Sequence, residues 1–234
     1  MRTIVMKFAG PLQSWGTSSH FETRHTDYYP SKSAVIGLIS ACLGYERTDD
    51  VYISQLNDLD FAVRVDQKGN LLRDYHTAKK YKNNGSFERT YVTNRYYLED
   101  AIFLVGISSQ KDDLMLKIEK ALQNPYYQPF MGRRSLPLNS DFFYGSYEEQ
   151  IINCLKKINW QASQWYKKRY SNKLTIYADS HLLDRKISRP RKDRVVSFSQ
   201  QERRFGYRYE SLEEIVVIKE SNQTNHNVFD ELGG

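Results

Sequence analysis

Residues 2–9 (RTIVMKFA) place Ile4, Met6 and Phe8 on one side of an extended chain and Thr3, Val5 and Lys7 on the other. That period of two defines a strand. A polar, aromatic-bearing loop covers residues 10–29, and then the period changes. Pro30 and Ser31 open a helix in which Val35, Leu38, Ile39 and Cys42 recur at helical spacing until Gly44 stops it. Phe61, Val63 and Val65 alternate with polar neighbours, so residues 59–66 read as a second strand. Residues 101–107 (AIFLVGI) are short, apolar and bounded by charge, which predicts a buried third strand. Residues 112–123 predict an amphipathic helix with Leu114, Ile118, Ala121 and Leu122 inward, ending before Asn124 and Pro125.

Strand, helix, strand, strand, helix is the opening of a ferredoxin-like (RRM-like) βαββαβ unit, an α+β sandwich with helices on one face. Its last strand is expected within residues 129–147, so the unit occupies residues 1–147. More than 30 residues separate the second and third strands. A connection of that length is functional or forms a protruding hairpin. Residues 148–234 are expected to form a smaller β-rich region, with a helix over about 148–158 and short strands near 173–178, 194–198 and 205–209.

Composition narrows the function. The chain of 234 residues is 14% aromatic, with 18 tyrosines. It therefore has ample surface to bury, which argues against disorder. The longest apolar run, residues 34–44, is interrupted by Ser40 and falls far short of the ~20 residues that a membrane span needs. Lys7 breaks the apolar stretch at the N-terminus and no small-residue cleavage site follows, so a signal peptide is not expected. The two cysteines, Cys42 and Cys154, form no CxxC pair, and a reduced cytoplasm is the expected setting.

The net charge of +6 understates an asymmetry. Residues 185–209 hold nine basic side chains against Asp193 and Glu202, while residues 210–234 hold six acidic ones and a single lysine. Residues 67–98, the long connection, hold seven basic and two acidic side chains together with Tyr75, Tyr81, Phe87, Tyr91, Tyr96 and Tyr97. Cations interleaved with rings suit single-stranded nucleic acid, because the cations neutralise phosphates and the rings stack on unpaired bases. A solvated hairpin, or a module whose basic C-terminal region docks an acidic partner, has the same composition.

The sequence holds few catalytic motifs. Gly10 to Ser18 fails the phosphate-loop spacing, and there is no GxSxG, HExxH or zinc-spaced cysteine cluster. His20 and His25 lie close together without further ligands nearby, so no metal or cofactor is called for. Metal-independent RNA cleavage needs only a base, an acid and a cation. His76, with Lys79, Lys80 and Tyr81, offers that set at the long connection; holding RNA without cutting it asks less of the same residues. Gln13, Ser14 and Trp15 lie just after the first strand, where Trp15 either stacks on a base or plugs the core. Ser31, Lys32 and Ser33 at a helix start form a seat for phosphate, with Ser31 also suited to cap the helix. Arg133 and Arg134 follow Gly132 on a loop, where their forks match phosphate oxygens or an acidic subunit surface.

The runs KFAGPLQSWG (7–16), ETRHTDYYPSKSAVIGLISACLG (22–44), VRVDQKGNLLRDYHT (63–77), TNRYYLEDAIFLV (93–105) and GRRS (132–135) together resemble the CasD family. These are type I-E Cascade subunits of the RAMP superfamily of CRISPR-associated proteins. The resemblance covers residues 1 to about 135. It departs after GRRS, where Leu136 and Pro137 stand in place of the family's cysteine-proline step. The resemblance implies a ferredoxin-like RAMP body with a β-hairpin thumb at about residues 67–98. It also implies a non-catalytic subunit that grips the 5′ handle of the crRNA, caps the backbone of CasC subunits, meets the large subunit CasA, and touches target DNA only through the whole complex. Under that reading Gln13, Ser14, Trp15, Arg24, Ser31, Lys32, Ser33, Arg133 and Arg134 contact the handle. Lys79, Lys80, Arg89 and Arg95 lie on the thumb. A related type I-C subunit is itself the processing nuclease, which keeps His76, Lys79 and Tyr81 as the catalytic alternative.

Overall fold

The computed structural model describes residues 1–17, 22–184 and 187–218. Strand β1 (Arg2–Ala9) leads through two short strands, β2 (Leu12–Gln13) and β3 (Thr23–Arg24), into helix α1 (Lys32–Cys42) and the shorter α2 (Asp50–Gln55). Next come β4 (Asp60–Gln67), the long ribbon of β5 (Asn70–Tyr81) and β6 (Phe87–Glu99), then β7 (Ile102–Ser109), α3 (Asp112–Gln123) and β8 (Phe143–Tyr147). The chain continues through α4 (Ile151–Lys157), α5 (Gln164–Arg169), β9 (Lys173–Asp179), β10 (Arg189–Ser197) and β11 (Arg204–Val216).

Seven strands form one antiparallel sheet in the order β10-β11-β9-β4-β7-β1-β8. The strand awaited within residues 129–147 is β8, which pairs with β1. The strands near 194–198 and 205–209 are parts of the longer β10 and β11. Together with β9 they extend the sheet beyond β4 rather than standing beside it.

The period of two in β1 serves two cores. Ile4, Met6 and Phe8 enter one, with α1 and α3, while Val5 enters the other, with α4. The same division splits β7, with Phe103, Val105 and Ile107 on the first face and Leu104 on the second. Strands covered on both sides lose their polar alternate positions, which is why residues 101–107 read as an unbroken apolar run. In α3 the buried residues are Met115, Ile118 and Leu122, with Leu114 and Ala121 only flanking them. The inward stripe is thus rotated from the sequence expectation, running through Met115, Ile118 and Leu122.

The ribbon of β5 and β6 leaves the body at Lys68 and Gly69, and its far turn closes with Lys82 N donating to Ser86 O at 2.9 Å. At its base, β2 and β3 lie along the other edge of β6.

Candidate nucleic-acid interface

The pairing of β3 with β6 sets Arg24 directly beside Arg95. Register partners in neighbouring strands share a face, and like charges there repel. Neither guanidinium forms an ion pair among the described residues, although Asp74 on β5 is the register partner of Arg95 from the ribbon's other strand. Arg133 reaches this margin from the loop after α3. Its Nη2 donates to Arg24 O at 3.0 Å and to Tyr96 O at 3.1 Å, and its guanidinium lies 4.2 Å over the Tyr97 ring. Its Nη1 is buried with no hydrogen-bond acceptor among the described residues. The next residue, Arg134, is exposed and unpaired among them.

Gly132 makes this approach possible. Its φ of +84° lies in the left-handed region that side chains other than glycine adopt only at a cost. A Cβ there would stand 1.6 Å from Ser14 O. Ser14 N donates to Met131 O at 3.2 Å, which completes the contact between the two loops. Arg133 therefore positions the margin as much as it charges it, and Arg134 is the freer cation.

A further arginine joins from a distant segment. The Arg203 guanidinium lies 5.2 Å over Phe205 and 5.9 Å over Phe198. Burial lowers its pKa, and the charges of Arg47 and Arg24 lower it further. Positive charges from three parts of the chain thus approach one another. Arg47 carried no motif or periodic signal; only the turn after α1 brings it here.

On the ribbon, His76 faces Thr93, Lys79 faces Thr90 and Lys80 faces Arg89. Alternation along β5 puts His76 and Lys80 on one face, with Arg89 and Arg95 opposite on β6, and Lys79 on the other face. His76 Nδ1 lies 3.2 Å from Thr93 Oγ1. The three residues considered for cleavage, His76, Lys79 and Tyr81, are therefore not gathered at one point, since His76 and Lys79 point to opposite sides. Lys80 is paired with Glu88 at 2.9 Å, and Arg89 lies 4.3 Å over the Tyr91 ring.

Several expected contacts are turned inward instead. Trp15 is 1% exposed and plugs the core beside Phe8, with its Nε1 donating to Gln13 Oε1 at 3.0 Å. Gln13 is equally buried and donates to Ala101 O at 2.7 Å. The helix start at Ser31, Lys32 and Ser33 is occupied by the protein's own acids. Lys32 N donates to Asp193 Oδ2 at 2.9 Å and Lys32 Nζ to Asp179 Oδ2 at 3.0 Å, while Ser31 caps Ala34 N. An internal carboxylate takes the seat expected for phosphate because a helix N-terminus favours any anion.

Three members of the basic run 185–209 are neutralised in the same way. Arg208 holds Asp193 at 2.7 Å and Glu210 at 2.9 Å, Arg191 holds Glu210 and Asp27, both at 3.1 Å, and Arg189 holds Glu210 at 3.0 Å. Burial opposes charging Glu210, but Arg191 and Arg208 outweigh it and lower its pKa. Ser18, His20, Phe21, Arg185, Lys186 and the acidic tail beyond residue 218 lie outside the described residues. Among the described residues no group of three or more His, Cys, Asp or Glu side chains could hold a metal ion. No helix among them is long and apolar enough to cross a membrane.

These features define a mixed α+β sheet protein with an arginine-rich margin at the foot of a long exposed ribbon. The chain belongs to the CRISPR-associated protein family Cas5, whose family model matches residues 3–209. A relative from Escherichia coli (strain K12), the CRISPR system Cascade subunit CasD, is 37% identical over 158 residues, covering 61% of this chain and 70% of that protein. Two solved structures are similar throughout. A chain of a CRISPR RNA-guided surveillance complex is 27% identical with a TM-score of 0.75, covering 92% of this chain and 90% of its own. A Cas protein crystal structure is 30% identical with a TM-score of 0.66, covering 92% and 95%.

Proposed function

We propose that this chain is a non-catalytic crRNA-binding subunit of a type I-E Cascade complex, acting in the cytoplasm and gripping the 5′ handle of the crRNA. In this reading β1, α1, β4, β7, α3 and β8 are a ferredoxin-like RAMP body, and β5 with β6 is its thumb. The subunit caps a backbone of CasC subunits, its thumb passing between nucleotides or over the neighbouring backbone subunit; CasA is the large neighbour, and target DNA is met only through the assembled complex. One observation carries the reading: Arg24 and Arg95 are register partners that form no ion pair among the described residues, even with Asp74 across the ribbon from Arg95, next to a buried Arg133 Nη1 that has no acceptor among those residues. Like charges held together and an unpaired buried donor are both costly in the free protein, and a phosphate backbone relieves both. The handle's bases would be splayed and read individually, as single-stranded RNA is.

The separation of His76 from Lys79 across the two faces of β5 favours binding over cleavage. The test uses the purified chain with end-labelled RNA in EDTA, comparing an intact repeat precursor with the isolated 5′ handle. The handle is expected to bind without any cut product. The variant R24A/R95A/R134A should bind more weakly and flatten the dependence of log K on log salt by about 2, at ~0.7 per single-stranded phosphate contact. A discrete product that disappears in His76→Ala would establish the nuclease instead. Binding that the triple variant leaves unchanged would remove the arginine margin from the interface.

A further inference from the structure

A second cationic and aromatic surface lies on the other side of the sheet. Trp160 and Tyr166 belong to the core shared with α4, whereas Tyr97, Leu98 and Met131 beneath the arginine margin belong to the core shared with α1 and α3. Residues 160–172 contain Lys167, Lys168 and Arg169 and no acidic residue. None of these three cations has an ion-pair partner among the described residues. Lys68, exposed at the foot of the ribbon, adjoins them, since its backbone N donates to Tyr166 Oη at 3.2 Å.

The rings here form a ladder from core to solvent. Buried Trp160 meets Tyr166 edge-on at 6.3 Å, Tyr166 stacks on Tyr170 at 4.2 Å, and Trp165 meets Tyr166 edge-on at 5.5 Å. Ser163 N and Oγ both donate to Gln67 Oε1, at 3.0 and 2.8 Å, which fixes the start of α5 to β4. Trp165 and Tyr170 are thereby held in place while 48% and 51% exposed. Arg169 lies 6.0 Å over the Trp165 ring. Rigid exposed rings among unpaired cations lose little entropy on binding, and they match a ligand with flat faces and regularly spaced negative charge. An unpaired strand has both, whereas the bases of a duplex are already stacked on one another.

We propose that α5 and the turn after it form a second surface for single-stranded nucleic acid, separate from the arginine margin. Bases stack on Trp165 and Tyr170, and phosphates meet Lys167, Lys168 and Arg169.

The chain contains three tryptophans, and Trp15 and Trp160 are buried, so quenching of its fluorescence by an added strand reports on Trp165. The full chain is titrated with unlabelled 12-nucleotide oligo(U), oligo(dT) and a duplex of the same length. Both single strands are expected to quench, in the wild type and equally in R24A/R95A/R134A. K167A/K168A/R169A should bind at least ten-fold more weakly, with the salt dependence flattened by about 2 in log–log slope. A tighter hold on oligo(U) assigns RNA as the strand, a tighter hold on oligo(dT) assigns DNA, and an equal hold assigns a surface that reads phosphate and ring alone. The proposal is overturned by an absence of quenching, by quenching that the lysine and arginine substitutions leave unchanged, by equal quenching with duplex, or by its loss in R24A/R95A/R134A.

Discussion

Arg64 has no exposed surface and lies between β4 and the end of α4. Its Nε and Nη2 each reach Asp66 at 2.7 Å. Its Nη1 donates to Leu155 O and to Ile158 O, and its Nη2 to Asn159 O at 3.0 Å. A helix ends with carbonyls that lack intrahelical donors and with a partial negative charge. Arg64 satisfies those carbonyls while neutralising Asp66, whose Oδ2 also accepts Gln161 N at 2.6 Å. Arg64→Met keeps most of the stem but strands a buried carboxylate and leaves the carbonyls without a donor. Breaking a buried pair from one side costs ~3–5 kcal/mol. In a chain of this size, each kcal/mol lowers Tm by ~2–4 °C, so a fall of about 10 °C is expected. The charge left behind causes most of the damage, so adding Asp66→Leu should recover about 2 kcal/mol, the orphaned carbonyls accounting for the remainder. Urea unfolding of wild type, R64M and R64M/D66L, followed by circular dichroism, reads both numbers. A loss below 1 kcal/mol in R64M, or a double variant no better than the single, would refute the argument that this pair organises the end of α4.

Two further expectations concern the interface and the core. Gly132→Ala places a Cβ against Ser14 O and demands a left-handed φ costing ~1 kcal/mol or more. The loop should withdraw, loosening Arg133 from Arg24 O and Tyr96 O; handle affinity is expected to fall about ten-fold, and an unchanged affinity would show that this loop does not organise the margin. Burial pushes the Cys42 thiol up to about 12 and the Cys154 thiol up to about 11. The unfolded thiols ionise near 9, so this contribution to stability is complete below pH 9 and is lost as pH rises from there towards 11 or 12. Neither thiol should react with a disulfide reagent at pH 8 until the chain unfolds, and a fast reaction in the native protein would contradict their burial.

The local pattern of the chain carried most of the body. Alternation at Ile4, Met6 and Phe8, helical spacing from Val35 to Cys42, and the apolar run 101–107 each marked an element that the structure contains. The length of the connection between the second and third strands likewise pointed to a protruding hairpin, and β5 and β6 occupy it. Backbone periodicity and side-chain polarity act over a few residues, so a sequence displays them directly.

Which charges remain free is decided elsewhere. Lys32 looked like half of a phosphate seat until Asp179 and Asp193 closed on it from far along the chain. Arg189, Arg191 and Arg208 looked like an exposed basic run until antiparallel pairing carried Glu210 and Asp193 among them. Trp15 looked equally suited to stacking on a base and to filling a core, and the packing of β1 and β7 settled it inward. In the opposite sense, Arg47 bore no local mark, yet the turn after α1 brings its charge into range of Arg203, which Arg24 also reaches. The sequence by itself determined where strands and helices form and that positive charge is plentiful. Only the tertiary structure decided which cations meet an internal acid and which are left for a partner, because ion pairing depends on distance in space and desolvation, neither of which is encoded at a single position.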